Sequence, residues 1–300
     1  MQIIYDELQQ LNKLLIDEIN KQKSEISEYI SDFISSKSKK IRPSLIFLLT
    51  KSLNEKITPE IMNLAIAVEL IHNATLIHDD IIDNASKRRG KVSLNIKLGN
   101  NLSVLSGDFL LSIAMKKLNE CNNQELIKIF SIALSNMCIG EINQQYSLNK
   151  VPTIQEYIGK SQNKTAELFI ASLKSMAILL GIQQQNEIYE FAKNYGIAFQ
   201  IKDDLVNILQ TDLSKPDLSD IYNGNYTLPV IYYAQENNGV EEMSKTELVD
   251  KIVQNSSIID KTNELIKDYS TRAIASLDFI EDNQYKLKLK ELTESLYKAE

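Results

Sequence analysis

Three hundred residues with 43% hydrophobic content can bury one large core with room for two subdivisions, so length alone does not demand two domains. A net charge of −7 argues against a general nucleic-acid surface, and two cysteines without CxxC spacing, Cys121 and Cys138, argue against a disulfide framework or a zinc site. No stretch reads as apolar over the roughly 18 residues a membrane span needs, and MQIIYDELQQ is unlike a signal peptide, so the expectation is a soluble, cytoplasmic protein.

Nine glycines and five prolines are few against an average usage of about 12%, which predicts long helices joined by few turns. Apolar residues recur at helical spacing from the start, as Leu8, Leu11, Leu14, Leu15 and Ile19, then Ile26, Tyr29, Ile30 and Phe33. Strand signals are nearly absent, no repeat of 30 to 50 residues is visible, and no Pro/Gly/Ser-rich linker divides the chain. The reading is an all-α protein forming one domain over residues 1–300.

The next feature is SSKSKKIRPSLIFLL, in which Lys37, Lys39, Lys40 and Arg42 precede a helix start marked by Pro43. Cations at a helix N-terminus make a seat for an anion, and Lys39 and Arg42, three apart, can reach one ligand together. A basic surface turn would read the same way in isolation.

Then comes IHNATLIHDDIIDNASKRR, from Ile71 to Arg89. Asp79 and Asp83 stand one turn apart on a single helix face. In an apolar cleft such carboxylates stay ionised together only with a cation between them, and Mg²⁺ suits oxygen ligands supplied by carboxylates, substrate phosphates and water. Asp80 points aside and supports the pair. Arg88 and Arg89 follow with guanidinium forks that fit phosphate oxygens. A solvated acidic face is the rival reading, but the preceding residues are too apolar for an exposed helix, and both histidines of the chain, His72 and His78, fall here.

Downstream, Asp108 follows Gly107 near the expected start of another buried helix, and the stripe Ile127, Phe130, Ile132, Leu134 and Ile139 reads as core, with Glu141 and Gln144 emerging at its end. A helix expected from about Pro152 carries Lys164 and Thr165 ahead of the apolar run AELFIASL. In FQIKDDL, Gln200 precedes Asp203 by three, and Asp203 with Asp204 is expected to close an apolar helix much as Asp79 and Asp80 do, which leaves the two acidic ends able to face one another across a cleft. From about Glu236 the chain reads as helical and polar.

Taken in order, KKIRP, LIHDDIIDNASKRRG, Lys164-Thr165, FQIKDDL, the SKP run with Asp220, and GNYTLP resemble the trans-polyprenyl diphosphate synthase family over roughly residues 37 to 232. Asn225 ahead of Thr227-Leu228-Pro229 most resembles the catalytic subunits of its heptaprenyl diphosphate synthases. The resemblance implies an isoprenoid synthase helical bundle around a central cavity, and a Mg²⁺-dependent prenyltransferase that condenses isopentenyl diphosphate with an allylic diphosphate, farnesyl or geranylgeranyl, to a medium or long all-trans product. By the same resemblance Asp79, Asp83 and Asp203 hold Mg²⁺ with Asp80 and Asp204 in support. Lys39, Arg42, His72 and Arg89 grip isopentenyl diphosphate. Arg88, Lys164 and Lys215 hold the allylic diphosphate, with Thr165 and Gln200 near the bond that breaks. Ile71, Ala74 and Thr75 would set chain length, small residues there leaving a tunnel open. A homodimer is expected, or a heterodimer with a second subunit.

Departures are Asn207 in place of the usual last aspartate of the second motif, and Ser214 and Leu218 where glycines are common, for which a modest loss of metal affinity is expected. The rival readings are a shorter-chain geranylgeranyl or farnesyl diphosphate synthase, a class I terpene cyclase, a non-catalytic partner subunit and a purely structural bundle. The Lys39/Arg42 seat for a second diphosphate disfavours the cyclase, and the retained Asp79, Asp83, Arg88, Arg89 and Lys164 disfavour the non-catalytic partner.

Overall fold

Helices follow from the apolar periodicity with few interruptions in the computed structural model, which describes residues 2–36, 38–209 and 219–298. Contacts gather the chain into two compact units. The first comprises Met1–Phe130, Ala171–Gln185 and Ile280–Leu289, the second Ser131–Ile170, Asn186–Phe279 and Lys290–Glu300.

In the first unit, α1 (Tyr5–Asn20) and α2 (Ser27–Ser35) bury the residues their spacing marks, Leu11, Leu15 and Ile19, then Ile30, Phe33 and Ile34. Helix α3 (Ile41–Ser52) starts from Lys40 at φ +47°, with Pro43 in the first turn where its missing N–H costs nothing. Helix α4 (Pro59–Ile82) is capped by Thr58, whose hydroxyl accepts from the Ile61 N–H at 3.3 Å. Against the expectation from the sequence, α4 is long and apolar enough, by length and composition, to cross a membrane. It is a core helix here, with 72% of its apolar window buried in protein.

Helix α4 stops at Asp83 by a Schellman cap: Asn84 takes φ +51°, its N–H donates to Ile81 O at 3.2 Å, and the Ala85 N–H donates to Asp80 O at 2.9 Å. A short antiparallel ladder follows, β1 (Lys87–Arg88) with β2 (Lys91–Val92). Its two turn residues, Arg89 and Gly90, have φ of +53° and +77°, the pair of left-handed residues a two-residue hairpin demands. After α5 (Leu94–Leu98), α6 (Asn100–Asn119) packs along α4. The approach needs Gly107, because a Cβ there would lie 2.1 Å from His78 Nε2. Asp108 is therefore mid-helix rather than near the helix start, with Oδ1 3.6 Å from His78 Nε2.

Helix α7 (Gln124–Tyr146) brings the chain to the second unit. There α8 (Ile154–Ser161) opens on a capping box formed by Thr153 and Glu156. A π-helical turn, Gln162–Ala166, separates it from α9 (Glu167–Leu179). Helix α10 (Gln185–Leu209) does not end at Asp204 as expected; it runs on to Leu209, burying Leu205 and Ile208, since Lys202 and Asp203 lie on its wetter face and break nothing. Gly196 of α10 touches the π-turn so closely that a Cβ would sit 2.6 Å from the Ala166 Cα. Phe169, Phe191, Tyr195 and Phe199 pack beside this contact with ring centroids 5.4 to 6.4 Å apart. Helices α11 (Ser219–Tyr222), α12 (Leu228–Glu236), α13 (Lys245–Val253), α14 (Ser256–Ala275) and α15 (Gln284–Glu294) complete the described chain.

Candidate active site

In the first unit the site grows from a buried ion pair. The Lys40 ammonium meets Glu69 Oε1 at 2.9 Å, and the Asn73 amide donates to the same oxygen at 3.1 Å and to Glu69 O at 2.7 Å. Anchored so, Lys40 leaves its neighbour Lys39 exposed and sets Arg42, half-buried, in the first turn of α3. His72 lies one turn beyond Glu69. Its pKa is held well below the ordinary 6.5, first by burial and then by the charges of Arg42, Arg89, Lys40 and Arg88, so the ring is neutral at pH 7.

Four cations thus act on one imidazole. Three of the residues assigned to isopentenyl diphosphate, Arg42, His72 and Arg89, share this field. It includes Lys40, which the sequence placed in the basic run ahead of Pro43 but not in the isopentenyl diphosphate set, and Arg88, which the resemblance gave to the other substrate. Lys39 is not joined to the group by any contact among the described residues. The left-handed turn aims Arg89 back at α2, where Nη1 donates to Ser36 Oγ at 3.2 Å and the guanidinium lies 5.9 Å from the Phe33 ring centroid.

Arg88 donates from Nε and Nη2 to Asp80 Oδ1, at 2.7 and 2.6 Å. Asp80 is buried; burial raises its pKa and Arg88 opposes the rise. Asp79 and Asp83 are half-buried, and the Asp83 N–H closes the last helical turn onto Asp79 O at 2.8 Å. Among the chain-length candidates Ile71 and Ala74 are fully buried, while Thr75 is half-buried and donates to His72 O at 2.8 Å.

In the second unit one buried carboxylate organises the site. Tyr157 OH donates to Asp204 Oδ2 at 2.6 Å, the Gln200 amide donates to Asp204 Oδ1 at 2.7 Å, and the Thr165 hydroxyl donates to Gln200 Oε1. Burial and the charge of Asp220 push the Asp204 pKa up to about 7, with the Tyr157 hydrogen bond pulling the other way. Thr165 and Lys164 sit in the π-turn, a break found frequently at functional sites. Lys164 pairs with Glu141 Oε2 at 2.6 Å, and Asp203 is exposed beside Asp204. Lys215 lies outside the described residues, as do Lys37, Ser214 and Leu218. Tyr157 escaped the sequence reading because 47 residues separate it from Asp204; Glu69 escaped it as one acid in a buried apolar run.

Residues 23–268 match the family described as Polyprenyl synthetase. The chain belongs to that family. It is 30% identical over 309 aligned residues to the chloroplastic solanesyl diphosphate synthase 2 of Arabidopsis thaliana, covering 97% of this chain and 74% of the relative. The heptaprenyl diphosphate synthase of Staphylococcus aureus matches with a TM-score of 0.92 at 26% identity, over 98% of both chains. The polyprenyl synthase of Caulobacter crescentus, complexed with calcium and isoprenyl diphosphate, matches with a TM-score of 0.88 at 26% identity, over 99% of this chain and 96% of that one. This polyprenyl synthetase is a prenyltransferase of all-α fold, with relatives named for medium and long products.

The residues of this polyprenyl synthetase fit a hard divalent cation. Asp79, Asp80 and Asp83 occupy the C-terminal end of α4, where the helix dipole already disfavours negative charge. Buried Asp80 leaves Oδ2 without a hydrogen-bond partner among the described residues. No group of three or more His, Cys, Asp or Glu side chains able to hold a metal ion occurs among the described residues, so Mg²⁺ there would depend on oxygens from bound substrate and water.

Proposed function

We propose that this prenyltransferase is a Mg²⁺-dependent all-trans polyprenyl diphosphate synthase that joins isopentenyl diphosphate to an allylic diphosphate, farnesyl or geranylgeranyl, and releases a medium or long chain. The observation that carries the reading is the field around His72: Arg42, Arg89, Lys40 and Arg88 act on a neutral ring about two turns before Asp79 and three before Asp83. Lys40 is already paired with Glu69 and Arg88 with Asp80, yet a field of four cations around one site favours a multiply charged anion.

Arg42, His72 and Arg89, with Lys39, hold the isopentenyl diphosphate. The neutral imidazole donates a hydrogen bond without adding to the crowding of positive charge. By the family resemblance the allylic diphosphate is assigned to Arg88 of the first unit and Lys164 of the second, with Lys215 outside the described residues. By the same resemblance, Asp79 and Asp83 in the first unit, and Asp203 in the second, would each serve as ligands for Mg²⁺, which would supply charge neutralisation to diphosphate oxygens. Thr165 and Gln200, fixed by Asp204 and Tyr157, are positioned polar groups for the C–O bond that breaks. Breaking it releases diphosphate and leaves an allylic cation, which the isopentenyl double bond attacks; the proton then lost passes to the released diphosphate, and no side-chain nucleophile is required.

The test is incubation of the purified protein with Mg²⁺, radiolabelled isopentenyl diphosphate and either primer, followed by sizing of the products. A product series ending at medium or long chain, abolished by EDTA, is expected. No incorporation from either primer overturns the reading.

A further inference from the structure

A cavity of about 530 Å³ opens within the second unit beside the end of α7, with Asn143, Gln144, Tyr157, Lys160, Asn163 and Asn225 in its walls. Its size is that of a small-molecule site, and besides these amides, the phenol and the ammonium its walls include Lys150, the Glu156 carboxylate and apolar Val151 and Pro152. The wall continues into groups already described, since the Tyr157 hydroxyl binds Asp204 and Asn163 precedes Lys164.

Lys160 is the unusual member. The three lysines that are buried among the described residues each meet a carboxylate: Lys40 with Glu69 at 2.9 Å, Lys117 with Glu120 at 2.7 Å, Lys286 with Asp282 at 2.9 Å. Lys164 has Glu141. Half-buried Lys160 instead donates to a neutral amide oxygen, Asn225 Oδ1, at 2.7 Å, and makes no ion pair among the described residues. Asn225 is held in that pose by Asp220, which accepts from its Nδ2 at 2.9 Å and from its backbone N–H at 2.7 Å. Burial lowers the Lys160 pKa, Lys164 adds to the lowering, and Asp204 and Asp220 oppose it. Two ammonium groups four residues apart therefore feel each other's repulsion, and the direct contacts of Lys160 are the Asn225 amide dipole and the face of the Tyr157 ring, whose centroid lies 5.8 Å from its Nζ. A desolvated cation in that position is poorly compensated until an anion arrives.

We propose that Lys160 is a further diphosphate-binding residue, whose ammonium leaves Asn225 Oδ1 for a phosphate oxygen of the allylic diphosphate, and that the neutrality of residue 225 keeps it available. The inference rests on the reading of this chain as a polyprenyl diphosphate synthase. An ion pair at 225 would hold the lysine back; an amide exchanges it for a phosphate oxygen at little cost.

The test combines calorimetric binding of inorganic diphosphate, with Mg²⁺ present, and steady-state kinetics on wild type, Lys160→Met, Lys160→Arg and Asn225→Asp. Lys160→Met is expected to lose about tenfold in diphosphate affinity and to raise KM for the allylic substrate by a similar factor, with KM for isopentenyl diphosphate changed less than about twofold. Lys160→Arg keeps most of the affinity. Asn225→Asp gives the lysine a carboxylate, so its thermal midpoint holds or rises while diphosphate affinity falls. A lysine that merely braced the 220–226 segment would behave otherwise, because Asn225→Asp would strengthen the brace and keep affinity. Wild-type affinity in Lys160→Met, or in Asn225→Asp, overturns the proposal. If wild type makes no polyprenyl product, the functional reading falls and the calorimetric arm alone decides Lys160.

Discussion

The charge of Asp204 depends strongly on its surroundings. Its folded pKa of about 7 stands above the ordinary 3.8, so between these values the folded protein binds a proton that the unfolded chain does not. The stability this contributes is complete below about pH 4 and is lost as pH rises through about 7. In metal-free protein the urea midpoint should therefore fall from pH 5 to 8 by an amount that Asp204→Asn removes, an effect on the order of a few kcal/mol. Tyr157→Phe deletes the hydrogen bond that holds the carboxyl down and moves the loss to higher pH. His72 works in the opposite sense: its folded pKa is depressed, so its contribution is lost as pH falls below 6.5, and wild type minus Asp204→Asn isolates the first effect from it. Identical slopes in wild type and Asp204→Asn would remove this account. A second prediction belongs to Ala74, which is fully buried on α4 two turns before Asp80. If the growing chain passes it, Ala74→Phe ends elongation early and product sizing shows a shorter limit. If the space is already filled, the ring overpacks the core, the thermal midpoint falls by the equivalent of about 1–3 kcal/mol, and product length is unchanged.

At the scale of elements, the contact that sets Thr165 against Gln200 is between Gly196 and the π-turn. Gly196→Ala places a methyl 2.6 Å from the Ala166 backbone, so α10 and the turn must separate and the Thr165–Gln200–Asp204 chain lengthens. The expected cost is about 1–3 kcal/mol in stability, with kcat falling more than KM for isopentenyl diphosphate. Gly159→Ala in α8 is the control, since nothing lies within 4 Å of a Cβ there and the change should be neutral or slightly stabilising. Equal effects of the two substitutions would discard the close-approach explanation. Elements of this kind mark the boundary of what the sequence reveals. The placing of Asp79 and Asp83 one turn apart at the end of α4 and the helical class were legible because each depends on spacing along a helix. The π-turn was not, as Gln162–Ala166 contains no glycine or proline to mark a break. The end of α10 was misjudged because charged residues on an exposed face do not terminate a helix. The Arg89–Gly90 turn had a local cue, a glycine in the second turn position, but strands of two residues carry too little alternation to be seen.

At the scale of the molecule, length and apolar content foretold a large core, and scarce glycine and proline with apolar periodicity foretold helices, whereas the division into two compact units depends on contacts between segments far apart in sequence, such as Asn283 Nδ2 donating to Ser52 O at 2.8 Å. What each unit leaves on its surface bears on assembly. In the first, α6 exposes Leu102 at 42% and Leu105 at 57%, one helical turn apart. In the second, α7 exposes Ile132 and Ile139, against the sequence expectation of a core stripe, and Ile142, each near half, with Tyr146 at 82%. Single exposed apolar residues need no explanation, but stripes repeating along two long helices do, and they suit association with a second copy through helix faces. The expected outcome is a sedimentation mass twice the 34.1 kDa of the chain at micromolar concentration. Leu105→Lys and Ile139→Lys put charges into such an interface, where an unpaired ammonium is costly, and should shift the protein towards monomer while each variant keeps its helical circular dichroism. Wild type that sediments as a monomer, with both variants unchanged from it, would mean that these stripes do not serve self-association. A mass above one chain that survives both lysines would place the interface on a different surface.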